Sequence, residues 1–305
     1  MIGQVIKEAI KPDFIIEGEM LARHSTLGVG GPADYFAEIP LYNADCKQIV
    51  EAYEFARDNK LDIFILGKGS NVLFSDRGFR GLVIKLVGGD ISFSKGWLWV
   101  DSGVMVSELV TMAHTTGLSG FEKFAGLPGT IGGAIYGNAG CYGAEFWDVV
   151  EEVMFFDGEY IQVLKKSVAD YGYRWSFFKE NPGWIIIAAR LNFAIEGKDK
   201  VKSETRMWRE ARRNSQPRGR SVGCFFKNPT KDGSRVSAGK LLDAVSLKGK
   251  KVGNAMVSPV HANFFVNCGG ATARDFLGLI NIAKGRVLDE FGVLLEEEII
   301  KVGEF

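Results

Sequence analysis

The segment GLPGTIGGAIYGNAG, Gly126 to Gly140, is the stretch of sequence that decides the fold. Six of its fifteen residues are glycine, and a glycine inside a helix or strand weakens that element by about 1 kcal/mol. The run therefore predicts backbone that closely approaches a large ligand carrying phosphates, not regular secondary structure. The residues that we predict to contact this ligand are Gly126, Pro128, Gly129, Thr130, Gly132, Gly133, Asn138, Ala139 and Gly140.

A second glycine loop, LGKGSNVLFS, spans Leu66 to Ser75 and follows the apolar run 63–66. Closely spaced glycines expose backbone N–H groups to an anion, and the neighbouring hydroxyl and amide add hydrogen bonds. Two such loops in one chain suit a dinucleotide, whereas a Walker-type nucleotide site is excluded because GxxxxGK[ST] does not occur. The predicted ligand contacts here are Gly67, Lys68, Gly69, Ser70 and Asn71.

A third segment, LGVGGPA at residues 27–33, contains G-x-G-x-x-A and mimics a Rossmann dinucleotide fingerprint. That fingerprint has meaning only between a strand and a helix. Here the flanking residues predict a tight turn that enters a strand. We therefore favour a structural turn over a Rossmann dehydrogenase.

Composition excludes several classes of protein. Basic and acidic residues balance at 37 each, so no overall field attracts nucleic acid or an anionic membrane surface. No apolar run approaches the roughly 20 residues that cross a bilayer, and the first fourteen residues lack a signal-peptide core. The four dispersed cysteines and three histidines predict no metal site and a reduced, cytoplasmic protein.

Apolar periodicity predicts helices at 44–60, 106–116, 203–214 and 237–245, and a long one from Thr272 to a stop at Gly292. Apolar runs predict strands at 63–66, 82–86, 97–100, 153–156 and 184–193. Because these elements do not alternate with regular βαβ spacing, we predict an α+β fold.

The two glycine loops, extended to residues 66–84 and 126–143, are similar to the FAD-binding half of the UDP-N-acetylenolpyruvoylglucosamine reductase (MurB) family. The resemblance continues in the family's order through DYGYRWS (170–176), GCFFKNP (223–229), AGKLLD (238–243) and LEEEI (295–299). It covers nearly the whole chain, which makes it far more specific than either loop alone.

The resemblance implies an α+β fold with a two-part FAD-binding domain of the PCMH/vanillyl-alcohol-oxidase type and a smaller α+β substrate-binding domain. We expect the FAD-binding domain at 1–200, in parts of about 1–86 and 87–200, with 294–305 returning to it. The substrate-binding domain is expected at 201–293. The short link 193–203 places the chain in the family's shorter class, without an extra insertion.

The activity implied by the resemblance is the reduction of UDP-N-acetylglucosamine enolpyruvate to UDP-N-acetylmuramate, a step of peptidoglycan biosynthesis. FAD would be bound non-covalently, and NADPH would act as co-substrate in the same pocket. The other partner is the enolpyruvyl sugar, and we expect a monomer.

Three catalytic residues follow from the family's motifs. Arg174 matches the arginine that stabilises the developing enolate, and Glu298 matches the catalytic glutamate. Cys224 occupies the position where the family usually has the serine that donates a proton. A thiol can take this role because it is a stronger acid than an alcohol.

Further predictions concern the surroundings of these three residues. Tyr173, Lys227, Asn228 and His261 are candidate substrate contacts, and His261 is equally consistent with a structural histidine. Arginines between 206 and 220 are either a solvated helix face or contacts to phosphates. Ile300 stands where other members often have an arginine, with Lys301 beside it, so the resemblance does not carry over a cationic contact from position 300.

Two other functions remain open from the sequence. One is an FAD-dependent sugar or alcohol oxidase of the same fold, a class that often attaches its flavin covalently, and Cys141 could form such a bond. A non-catalytic protein that binds UDP-sugars would not need Arg174, Cys224 and Glu298 together.

Overall fold

The computed structural model describes residues 11–42, 45–94 and 96–305. Within them lie six α-helices, namely α1 (Lys47–Asp58), α2 (Val106–Thr116), α3 (Ile131–Tyr136), α4 (Lys198–Ser215), α5 (Ala238–Ala244) and α6 (Ala273–Phe291). The five predicted helices are confirmed, and α4 begins five residues earlier than predicted. Residues 1–10 and 44, which the predictions included in the FAD-binding domain and in the first helix, lie outside the described residues.

Twenty-two short strands accompany these helices in the described ranges. They are β1 (Ile15–Glu17), β2 (Ala33–Pro40), β3 (Ile63–Leu66), β4 (Val72–Phe74), β5 (Phe79–Val87), β6 (Ile91–Ser94), β7 (Trp97–Asp101), β8 (Leu118–Ser119), β9 (Gly140–Cys141), β10 (Ala144–Glu145), β11 (Val150–Phe156), β12 (Ile161–Lys165), β13 (Tyr171–Gly172), β14 (Trp175–Ser176), β15 (Ile185–Leu191), β16 (Ala194–Ile195), β17 (Thr230–Lys231), β18 (Ser234–Arg235), β19 (Lys251–Val252), β20 (Ala255–Val257), β21 (Phe265–Asn267) and β22 (Ile300–Val302). The helices and strands do not alternate as regular βαβ units, which confirms the predicted α+β class.

The N-terminal sheet has the order β1-β2-β5-β3, with β2, β5 and β3 parallel and β1 antiparallel to β2. Helix α1 covers one face and buries Ile49, Ala52 and Phe55. Alternate residues of β5 point to opposite faces of the sheet. Because both faces are buried, the residues Leu82–Ile84 are all apolar.

The second sheet is antiparallel, in the order β12-β11-β15-β7-β6. Its core includes Leu98, Val150 and Ala189 and is shared with helices α2 and α3. Helix α2 ends at Gly117, whose φ of 84° is the left-handed conformation that glycine adopts without strain. From the opposite side, Ile185 and Ile187 of β15 pack into the core of the N-terminal sheet, so the two sheets share buried side chains.

The C-terminal region packs α5, α6 and the sheet β19-β20-β21 around Phe225, Phe265 and Phe276. Thr272 caps α6 in a capping box with Asp275. The chain then returns to the first part of the fold, because β22 pairs in parallel with β4.

Helix α3 lies inside the glycine segment, so the prediction that this segment avoids regular structure is wrong for residues 131–136. Thr130 Oγ1 accepts a hydrogen bond from Gly133 N and caps the helix. The Ser102 carbonyl accepts from Gly132 N at 2.9 Å. A Cβ at Gly132 would lie 2.9 Å from Ser102 Cβ, so this glycine permits close tertiary packing that outweighs its low helix propensity.

The fingerprint-like segment 27–33 forms a turn that runs directly into β2. A strand, not a helix, follows its glycines, which excludes the Rossmann interpretation. Among the helices of the described residues, none is long and apolar enough to cross a membrane.

Candidate active site

The two glycine loops meet in space. Ser70 Oγ donates a hydrogen bond to the Pro128 carbonyl at 3.0 Å. A Cβ built on Gly67 would lie 2.4 Å from Thr130 Oγ1. The loops are therefore pressed against each other so closely that position 67 has no space for a side chain.

The first loop offers a row of backbone donors. Within the part of the chain that the structure describes, none of the N–H groups of residues 67–71 donates a hydrogen bond to protein. Gly69 has a φ of 67°, and a Cβ there would lie 2.1 Å from the His24 carbonyl oxygen. Consecutive unpaired N–H groups in a glycine turn form an anion-binding concavity, so these residues fit the phosphates of the predicted FAD.

The second loop uses many of its polar groups within the protein. The amides of Ile131 and Gly132 donate to the carbonyls of Val104 and Ser102. Asn138 is fully buried: its Nδ2 donates to Glu145 and to the Gly172 carbonyl, and its Oδ1 accepts from Trp147 N. These residues hold the loop in shape, and their direct contact with FAD stays a prediction.

Replacing Gly67 by alanine should weaken FAD binding. The new methyl group forces Thr130 away, and such overpacking costs about 1–3 kcal/mol, so we expect the FAD dissociation constant to rise about 5- to 150-fold. Titration of apoprotein with FAD, followed by flavin fluorescence, measures it. The matched control is Gly285→Ala in α6, where a Cβ meets nothing within 4 Å. Equal FAD affinity of the Gly67→Ala protein and wild type would show that loop contact is irrelevant to binding.

Arg174 lies in the two-residue turn of the β13–β14 hairpin. Its φ is 58°, a conformation that turns normally reserve for glycine or asparagine. The guanidinium Nη2 donates to the Gly140 carbonyl at 2.9 Å, and a Cβ at Gly140 would lie 2.8 Å from Nη1. The end of the glycine segment thus makes room for the Arg174 side chain and holds its guanidinium.

Glu298 pairs with this arginine, with Arg174 Nε and Glu298 Oε1 2.6 Å apart and both side chains less than 20% exposed. Asn71 Nδ2 donates to the Glu298 carbonyl at 3.0 Å, so the first glycine loop also positions the glutamate. Burial raises the pKa of Glu298, although Arg174, Lys179 and Lys227 act in the opposite direction.

Cys224 lies close to Arg174 and Glu298, in the segment before β17. The backbone N–H of Glu298 donates a hydrogen bond to the carbonyl of Phe225, the residue after Cys224, at 2.8 Å. Burial, and to a smaller extent Glu298, raise the pKa of the Cys224 thiol to about 12, and Arg174 and the hydrogen bond with Asn263 oppose this. The thiol therefore stays protonated at neutral pH. The structure thus brings Arg174, Cys224 and Glu298 together.

Cys224 should resist alkylation at neutral pH. With a pKa of about 12, roughly one thiol in ten thousand is a thiolate at pH 8, and only the thiolate reacts with iodoacetamide. Modification should rise about tenfold per pH unit above pH 8, as measured by peptide mass spectrometry. Exposed Cys268 serves as the internal reference. If Cys224 reacts as fast as Cys268 at pH 7, the thiol is not held protonated.

Three of the four predicted substrate residues lie beside this trio. The Tyr173 hydroxyl accepts a hydrogen bond from Asn228 N at 3.2 Å, and Arg235 stacks on the Tyr173 ring at 3.8 Å. Lys227 pairs with Glu296 and contributes positive charge near Glu298.

His261 is placed differently. Its Nδ1 accepts from Asn263 N at 3.2 Å, and its ring packs against Phe264. A Cβ on Gly239 would lie 2.9 Å from the ring. In the described residues, no hydrogen bond or ring contact joins His261 to Arg174, Cys224 or Glu298, and its substrate role stays a prediction.

The position of Ile300 explains the departure noted in the sequence. Ile300 N donates to the Asn71 carbonyl at 3.0 Å, and the side chain packs with Val72 and Phe74 in an apolar cluster. Lys301 pairs with Glu297 at 3.1 Å. The position therefore serves packing here, and the neighbouring lysine has an acidic partner of its own.

The arginines between residues 206 and 220 differ in their surroundings. Arg212 is buried and donates to the Ala125 carbonyl at 3.1 Å, and Arg206 pairs with Glu210 at 2.9 Å. Arg209 and Arg213 line a cavity of about 360 Å³ with Gly126 and form no ion pair among the described residues.

Two residues of the site escaped the sequence analysis. Lys179 donates to the Arg174 carbonyl at 2.8 Å, and buried Asn263 bonds the backbone N–H and carbonyl of Phe226 and lowers the pKa of the Cys224 thiol. Neither residue lies in a segment of unusual composition, and only their proximity to the motif residues in the folded structure identifies them. No group of three or more potential ligands is arranged to hold a metal ion in the described part of the chain.

Two family models match parts of this chain. Residues 215–302 match the family model described as the C-terminal domain of UDP-N-acetylenolpyruvoylglucosamine reductase, and residues 41–162 match the model of an FAD binding domain.

Relatives match over nearly their whole length. Reductases of that name from Geotalea uraniireducens and Rubrobacter xylanophilus are 38% and 35% identical over 289 residues, covering 93% and 94% of both chains, respectively. The crystal structure of the enzyme (MurB) from Thermus caldophilus has a TM-score of 0.80 at 36% identity, covering 95% of this chain and 100% of that chain. The chain belongs to the UDP-N-acetylenolpyruvoylglucosamine reductase family.

Proposed function

We propose that this protein reduces UDP-N-acetylglucosamine enolpyruvate to UDP-N-acetylmuramate, with FAD as its bound cofactor and NADPH as the reductant. The observation that carries the proposal is the convergence of Arg174, Cys224 and Glu298 beside two glycine loops. The names of the relatives support the substrate. In the cell this activity would serve peptidoglycan synthesis, and through the cell wall it would affect cell shape and division.

The reaction needs a hydride, stabilisation of the negative charge that develops, and a proton. When bound and reduced by NADPH, FAD would supply the hydride that adds to one vinyl carbon of the enolpyruvyl group. Arg174 stabilises the negative charge that develops on the carboxylate side of the substrate. Glu298 holds the guanidinium in place through the 2.6 Å contact. Cys224 donates its proton to the other vinyl carbon and recovers a proton from solvent.

The residues present fit the proposed ligands. The N–H groups of residues 67–71, which donate to no protein group among the described residues, suit the FAD diphosphate. We propose that Tyr173, Lys227 and Asn228 contact the sugar nucleotide, with residues 201–293 as its domain. Arg209 and Arg213, which have no acidic partner among the described residues, are our candidates for a phosphate contact.

The flavin is proposed to be non-covalent. Cys141, the residue that a covalent oxidase would use, donates its thiol to the Lys123 carbonyl at 3.1 Å, and burial raises its pKa. We further propose a cytoplasmic monomer, since four free cysteines suit a reducing compartment.

One assay separates the candidate functions. NADPH oxidation that depends on the enolpyruvyl sugar supports the reductase, and its absence in flavin-loaded protein overturns this proposal and favours a sugar-binding protein. Denaturation followed by filtration tests the flavin linkage: yellow colour that stays with the protein would favour an oxidase with a covalent flavin.

A further inference from the structure

Lys179 stands out among the cationic side chains around Glu298. Arg174 pairs with Glu298 and Lys227 pairs with Glu296. Within the described ranges, Lys179 forms no ion pair, although its ammonium lies partly buried next to these groups. A half-buried ammonium without a carboxylate partner is costly, so its position requires another explanation.

The contact that Lys179 does make is with the strained turn. Its Nζ donates to the Arg174 carbonyl at 2.8 Å and lies 5.9 Å from the Tyr136 ring centroid. The left-handed conformation of Arg174 costs about 1–3 kcal/mol and persists only where surrounding contacts enforce it. Two side-chain contacts, to Gly140 and Glu298, fix the guanidinium, and the Lys179 bond fixes the backbone carbonyl.

The position of Lys179 also affects the electrostatic surroundings of Glu298. The groups that face Glu298 from neighbouring elements are the cations Arg174, Lys179 and Lys227 and the thiol of Cys224, and Glu296 lies two residues away on its own segment. Each cation favours the ionised carboxylate. Removing one of them shifts Glu298 toward its protonated form.

We propose that Lys179 is a positioning residue, which holds the Arg174 turn in its working conformation and supplies positive charge beside Glu298. This inference rests on the proposed reductase function. Lys179 would not touch the reacting atoms. It would act through Arg174 and Glu298.

The test compares Lys179→Met, Lys179→Arg and a matched control in the FAD-loaded protein. Lys166→Met is the control, because half-buried Lys166 also donates to a backbone carbonyl, that of Asp148 at 2.9 Å, and lies outside the site. For Lys179→Met we expect kcat for enolpyruvyl reduction to fall about 10- to 100-fold, as for a displaced catalytic group, with little change in KM. The pH-rate limb that reports Glu298 should move to higher pH. Lys179→Arg should recover most of the activity.

Each outcome decides the claim. Wild-type kcat and pH profile in Lys179→Met, or an equal loss in Lys166→Met, overturns the positioning role. A rise in KM alone would assign Lys179 to substrate binding and also overturn it. If Lys179→Met does not fold, an unshifted pH profile and wild-type kcat in Lys179→Gln contradict the charge effect. Absence of enolpyruvyl-dependent NADPH oxidation in wild type would instead overturn the proposed function, and this inference with it.

Discussion

Replacing Cys224 by alanine should reduce the rate of enolpyruvyl reduction by roughly 10²–10⁴-fold, the usual contribution of a positioned general acid. Reduction of the flavin by NADPH should stay close to the wild-type rate, because that half-reaction needs no proton from Cys224. Stopped-flow measurement of the two half-reactions separates them. The prediction follows from a thiol that is held protonated beside Glu298 and Arg174.

Cys224→Ser is the control for this experiment. It restores a proton donor of similar size, and the residue that the family usually has at this position, so we expect it to retain much more activity than the alanine protein. Equal thermal stability of both proteins would show that the loss is not caused by unfolding. A Cys224→Ala protein that turns over as fast as wild type would remove the thiol from the mechanism.

Replacing Arg174 by methionine should cause a loss of both activity and stability. Loss of a group that stabilises developing charge costs about 10²–10³-fold in kcat. Because the change also leaves Glu298 buried without its partner, the protein should lose up to about 3–5 kcal/mol of unfolding free energy. Steady-state kinetics and urea denaturation measure the two effects.

The double variant Arg174→Met/Glu298→Gln distinguishes the two effects. Removing both charges avoids the uncompensated carboxylate, so stability should recover in part while activity stays low. If the double variant is as unstable as Arg174→Met, the stability loss does not come from the buried carboxylate of Glu298. If Arg174→Met retains wild-type kcat, the guanidinium does not stabilise charge in the reaction.

The sequence was sufficient for features that depend on local rules or on intact motifs. Gly117 and Gly292 end their helices in the left-handed conformation, and Thr272 begins α6 with a capping box, because these signals lie within a few residues of the helix end. The resemblance also grouped Arg174 with Glu298, 124 residues apart, which the structure joins at 2.6 Å.

Features set by distant contacts could not be predicted. Helix α3 forms within a glycine-rich run because carbonyls of residues 102 and 104 satisfy its first N–H groups. The side chain of Asn71 bonds the carbonyl of Glu298, which lies 227 residues away in the sequence, and no local pattern indicates this contact. Lys179 carries no sequence signal at all, since a lysine at the end of a short turn is normally a solvated side chain.

The most direct test of the proposed reaction is anaerobic. Flavin-loaded protein is reduced with stoichiometric NADPH, mixed with the enolpyruvyl sugar in the absence of oxygen, and followed by flavin absorbance and product mass. We predict that the flavin is reoxidised in step with formation of UDP-N-acetylmuramate. A flavin that stays reduced until oxygen is admitted would contradict the reductase function and favour an oxidase.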